Sequence, residues 1–129
     1  MRVTLLVLLL LACQGDPSSV LERAAKHTLA DRNGAMSALS AGLDEAFLWL
    51  KDHPSDQAGA LAHARPQLGH FFTAEETDAF QLHVGSGELM LYIPTTSGHP
   101  SVWLGRTENH LIVEPTGLSP EARAKAGVN

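Results

Sequence analysis

The sequence predicts an α+β domain, with N-terminal helices packed on one face of a C-terminal four-stranded antiparallel meander. Three observations lead there. Apolar residues recur at intervals of three and four through the first half of the chain, the interval drops to two from Phe80 onward, and turn signals cut the second half into short segments.

The first helix is expected from Pro17 or Ser18 to Arg32. Proline suits a first helical turn, Ser19 and Glu22 have capping-box spacing, and Asn33-Gly34 reads as a stop. A second helix, from about Ala35 to Asp52, has the strongest helical period in the chain. Met36, Leu39, Leu43, Ala46, Phe47 and Leu50 form its stripe, which Leu48 and Trp49 broaden. His53-Pro54 ends it, and Ser55 caps a third helix from Asp56. Pro66 should stop or kink that helix near Arg65, because proline has no N–H and its ring clashes with the preceding turn. Thr73 with Glu76 forms a further capping box, opening a short helix that ends near Ala79.

Phe80, Leu82 and Val84 alternate with polar residues, and Gly85-Ser86-Gly87 turns the chain into a second strand, Glu88 to Ile93. Leu89, Leu91 and Ile93 share one face of that strand, Met90 and Tyr92 the other. Pro94 to Pro100 reads as a loop, Ser101 to Gly105 as a third strand, Thr107-Glu108-Asn109 as a turn and His110 to Glu114 as a fourth strand. Val102, Leu104, Leu111 and Val113 should join the helix-covered face. The opposite face then carries Met90, Tyr92, Trp103 and Ile112, more apolar surface than a solvated face usually shows. These four are the candidate partner-binding residues. The alternative is that a short, fraying C-terminal helix from Ser119-Pro120-Glu121 covers them.

The N-terminus carries the clearest functional signal. Met1-Arg2 is basic, Val3 to Leu11 is an almost unbroken apolar run, and Leu10-Leu11-Ala12 precedes Cys13, the only cysteine. The run is too short to span a bilayer, which takes roughly 20 apolar residues, and its layout is that of a secretory signal. Its ending resembles the lipobox of bacterial lipoproteins. That resemblance implies cleavage before Cys13 and attachment of diacylglycerol to its thiol. The expected organisation is a signal peptide over 1–12, a lipidated cysteine and tether over 13–16, and a single domain over 17–129. Gln14-Gly15-Asp16 would hold the domain within roughly 10–15 Å of the membrane. In the enteric sorting pattern a residue other than aspartate after the cysteine, here Gln14, favours the outer membrane, facing the periplasm.

Charge narrows the partners. The chain carries −5, and without Arg2 the remainder is at about −6. With no basic stripe to neutralise phosphates, nucleic acid is not expected as a partner, nor is electrostatic adhesion to anionic lipid. The expected partners are the membrane, through the lipid anchor, and an unidentified envelope protein.

Few patterns carry chemistry. Gly85-Ser86-Gly87 lacks the spacing of a nucleophile elbow, no glycine-rich loop carries a phosphate-binding lysine, and there is no HExxH or paired-cysteine motif. No catalytic residue, metal ligand or cofactor is assigned. Among seven histidines, His63 and His70 lie too far apart on a straight helix to share one ion. His83, His99 and His110 could meet only through the tertiary fold. Asp44-Glu45 and Glu75-Glu76 are adjacent pairs that diverge on a helix and read as solvated charge. The leading reading is a non-catalytic, membrane-anchored protein-binding module: an assembly factor, inhibitor or immunity-type protector. The alternative is a small-molecule-binding or sensing domain with its pocket near Phe47 and Trp49, and a histidine-dependent enzyme is third.

Overall fold

The computed structural model describes residues 29–94 and 102–128. The segment expected as a signal peptide, Cys13, the expected tether and the predicted Ser19 cap lie outside the described residues, as does His99. Among the described residues no helix is long and apolar enough to cross a membrane.

Among the described residues four helices and four strands follow one another as α1 (Leu29–Asp52), α2 (Gln57–Leu68), α3 (Ala74–Ala79), β1 (Gln81–Gly85), β2 (Glu88–Ile93), β3 (Val102–Arg106), β4 (Leu111–Ile112) and α4 (Pro120–Ala126), with a 3₁₀ turn at Pro115–Gly117 before α4. The strands form one antiparallel sheet in the order β1-β2-β3-β4. The architecture is α+β, with α1 and α2 against a four-stranded antiparallel meander.

Asn33-Gly34 does not end a helix: α1 runs straight through it. A glycine stop needs a left-handed residue, and Gly34 is not among the glycines with positive φ. Its missing side chain serves a close approach instead, since a Cβ there would come within 2.9 Å of the Phe71 ring. The helical cost of glycine, about 1 kcal/mol, is set against that packing. Pro66 likewise lies inside α2, which reaches Leu68. It stands in the last turn, where only one ladder bond is forfeited, and the fully buried Leu68 holds the turn against the core. The cap of α2 is Asp56 rather than Ser55, its carboxylate accepting from Gly59 N at 2.9 Å. The Thr73–Glu76 capping box is present in both directions, and α3 ends at Ala79.

The main core joins Leu39, Leu43 and Ala46 of α1 and Ala60, Ala64 and Leu68 of α2 to Phe72 and Phe80 and to the sheet residues Leu89, Leu91, Ile93, Val102 and Leu104. Met36 and Leu48, placed on the α1 stripe from their spacing, are exposed. Leu111 and Val113 are exposed as well, at 39% and 53%. The fourth strand pairs through only Leu111 and Ile112, so Val113 lies beyond the ladder. Strand β3 runs to Arg106, one residue past its expected end, and Ser101 lies outside the described residues, while β2 has its predicted bounds.

The other face of the sheet is covered. Met90, Tyr92 and Ile112 are at most 6% exposed and form a second core with Leu118, Ala122 and Ala126, with Trp103 and Val128 packed at its edge. The open patch expected from Tyr92, Trp103, Met90 and Ile112 is therefore absent, and three of the four are interior residues. Helix α4 does this. Ser119 caps it by accepting from Ala122 N, and Ala122 and Ala126, four apart, bring its backbone close to the sheet. Tyr92 keeps a partner for its hydroxyl, which donates to Gln81 Oε1 at 3.3 Å, and burial pushes its pKa up from the ordinary tyrosine value.

Candidate functional site

Three arrangements of polar or aromatic side chains stand out, and one of them opens to solvent as a groove. The first is part-buried, with His83 inside and Lys125 at the surface. Glu88, opening β2, accepts from Ser119 N at 3.1 Å and from the Ser119 hydroxyl, and its carboxylate also meets His83 Nε2 at 3.1 Å. His83 Nδ1 lies 3.2 Å from Lys125 Nζ on α4. A charged ammonium only donates, so Nδ1 accepts and Nε2 carries the proton given to Glu88. His83 is 1% exposed. Serine and histidine each contact the carboxylate rather than one another, so the set does not activate a nucleophile. It fastens the cap and body of α4 to the β1–β2 hairpin.

Burial pulls the Glu88 carboxyl upward, but the Ser119 hydroxyl and amide and the His83 ring outweigh it and hold the pKa below the usual carboxylate value. The depressed folded-state value makes this contribution to stability complete above about pH 4.5, and it is lost as pH falls through the lower folded-state pKa. Thermal melts across that range should show the parent destabilised by acid and Glu88→Gln less stable near neutrality with a flatter acid limb. An acid limb as steep in Glu88→Gln as in the parent would assign the effect to other carboxylates.

The second arrangement closes the corner between α1 and α2. The Trp49 indole is stacked between His53 and His63, with ring centroids 3.8 and 4.0 Å away, and its Nε1–H donates to Asp56 Oδ2 at 3.0 Å. Each imidazole Nδ1 donates to a carbonyl one turn back, Trp49 O or Gly59 O. The Gly59 amide, the indole N–H and the nearby imidazoles hold the Asp56 carboxyl below its ordinary pKa. Two rings on opposite faces of an indole cannot converge at the roughly 2 Å that a shared zinc requires. Elsewhere His110 meets the Thr107 hydroxyl in the β3–β4 turn, far in role from the buried His83. Among the described residues no three histidine, cysteine or carboxylate side chains are grouped to hold a metal ion.

The third arrangement is a groove of about 360 Å³ where the last turns of α1 meet the β1–β2 hairpin and the end of β3. Phe47, Leu50, Val84 and Leu89 form its apolar walls, and Lys51, Arg106 and Glu108 its polar margin. Phe47 and Lys51 are one turn apart on a helix, so the ammonium reaches over the ring, 5.0 Å from its centroid. The Arg106 guanidinium lies 4.1 Å from the same centroid. Arg106 is held in place by Asp44 and by the carbonyls of Thr107 and Glu108. A two-residue turn at Ser86-Gly87 keeps the hairpin rim low, Gly87 taking φ 75°.

Sequence spacing brought Phe47 forward as a pocket residue, and it lines the groove. Trp49, named with it, is enclosed by its two histidines instead. Lys51 and Arg106 were not singled out, since a helix-terminal lysine and a strand-terminal arginine have no distinctive spacing; only the shared Phe47 face unites them. No protein-family model, curated protein or solved structure matches this chain.

Proposed function

We propose that this chain is a lipid-anchored protein of the bacterial cell envelope whose α+β domain is a non-catalytic protein-binding module, acting as an assembly factor, inhibitor or immunity-type protector. The observation that carries the reading is the N-terminal run from Met1 to Leu11 closed by Leu10-Leu11-Ala12-Cys13. Acylation gives the single cysteine a role that needs no disulfide partner. Stable attachment follows when two or more acyl chains are present. With the second sheet face occupied by α4, the contact surface passes to the groove at Phe47, where an aromatic floor with cationic neighbours suits an interface anchor. Its volume, inside the range of about 300–1,000 Å³ common for ligand pockets, favours small-molecule binding as the second reading.

In the native host, a fatty-acid analogue should label the protein and fail to label Cys13→Ser, which should accumulate unprocessed or soluble. A photo-crosslinking residue at Glu108, on the groove margin, should then capture one envelope protein from the labelled form, while the same residue at Glu75 on α3 captures none. Equal labelling of Cys13→Ser would overturn the anchor, and equal capture from both positions would overturn the groove as the contact surface.

A further inference from the structure

Strand β1 stands at one edge of the sheet. The two-residue turn at Ser86-Gly87 makes Gly85 and Glu88 a hydrogen-bonded pair, and bonded and non-bonded pairs alternate from there. Gln81, His83 and Gly85 therefore direct their main-chain groups to β2, and Leu82 and Val84 direct theirs outward. Among the described residues no main-chain group pairs with these outward N–H and C=O groups. Open edges invite pairing, and proteins usually blunt them with shortness, proline, charge or a bulge. The far edge is blunted in this way, since β4 has two residues and runs into Glu114-Pro115. By contrast β1 has five residues in unbroken register with β2, none of them proline, lysine, arginine or acidic.

What flanks the edge defines its occupant. Helix α2 lies over it: β1 is the strand that α2 chiefly contacts, whereas α1 sits over β2 and β3. Leu61 of α2 and Leu82 and Val84 of β1 pack on the main core yet stay half-buried. A further strand beneath α2 would cover that apolar surface as well as satisfy the main chain. A second copy cannot supply it as a twofold pair. Paired strands lie about 4.8 Å apart and packed helices about 8–10 Å, so an α2 over each strand would collide with its twin. The chain's charge of −5 favours a partner strand flanked by basic residues. We propose that β1 takes an extended segment of a partner protein as a fifth, antiparallel strand, with apolar β-branched residues opposite Leu82 and Val84 and lysine or arginine at its flanks. The inference extends the protein-binding reading to a second surface, and its test is independent of the Phe47 groove, which Leu82 does not line.

The probe is a synthetic peptide of alternating valine and threonine with a lysine at each end, added to the full-length protein in detergent and followed by amide resonances and hydrogen exchange. The amides of Leu82 and Val84 should shift saturably and exchange more slowly, while that of Glu75 on α3 stays as it was. Directly opposed residues share a sheet face, so the valines, beneath α2, turn their own N–H groups to β1. N-methylation of the valines should abolish binding, and N-methylation of the threonines should leave it. Leu82→Pro removes one outward donor without touching the β1–β2 ladder and should weaken the peptide about fivefold. Unmoved Leu82 and Val84 amides, or equal binding of the two methylated peptides, would overturn the proposal. Slow exchange at both amides before any peptide is added would overturn it as well: with a dimer by mass the occupant is a second copy, and with a monomer it is a segment of this chain.

Discussion

Leu43→Ala is expected to destabilise the domain by about 2–5 kcal/mol, through lost transfer free energy and the cavity left behind. Leu43 has no exposed surface and lies in the middle of α1, within the cluster that joins both long helices to the central strands. Domains of this size are typically stable by only about 5–15 kcal/mol, so the substitution should bring the protein close to its threshold. Denaturant unfolding of the full-length protein measures the loss. Leu48→Ala, five residues along the same helix at a side chain 55% exposed, should change the midpoint little. Equal midpoints for Leu43→Ala and the parent would show that the face of α1 turned to the sheet is not the one described.

The second large effect is expected of Tyr92→Ala combined with Trp103→Ala. The two residues face one another across β2 and β3 and pack in the core beneath α4. Truncation of large aromatics in cores typically costs about 3–5 kcal/mol each. Neighbouring sites are not additive and Trp103 is only partly buried, so the pair should cost at least about 3 kcal/mol. Thermal melting reads the difference directly. Were the two residues an open docking surface, their removal would leave stability nearly unchanged; an unaltered melting curve would mean that α4 is not seated on the sheet.

Both long helices show how far local spacing reaches. The Thr73–Glu76 box, the bounds of β2 and the hairpin at Gly85-Ser86-Gly87 were legible because each is decided within a few residues. Leu39, Leu43 and Ala46 were legible as core because a 3.6-residue period places them together. The same period placed Met36 and Leu48 on the stripe, and both are exposed, because a stripe's width depends on what packs against it. Gly34 and Pro66 are breakers only in isolation. Phe71 lying against the first and Leu68 anchoring the turn around the second keep both inside helices.

The candidate sites divide along the same line. By itself the sequence determined the α+β class, the order of helices before strands, and an N-terminal segment resembling a lipoprotein signal, because these rest on periodicity, capping and contiguous apolar residues. Only the tertiary structure decided that α4 covers Met90, Tyr92 and Ile112 and that Phe47 gathers Lys51 and Arg106. Each joins residues on separate elements, and the free energy that seats one element on another depends on the shape and burial of both surfaces, which no local spacing encodes.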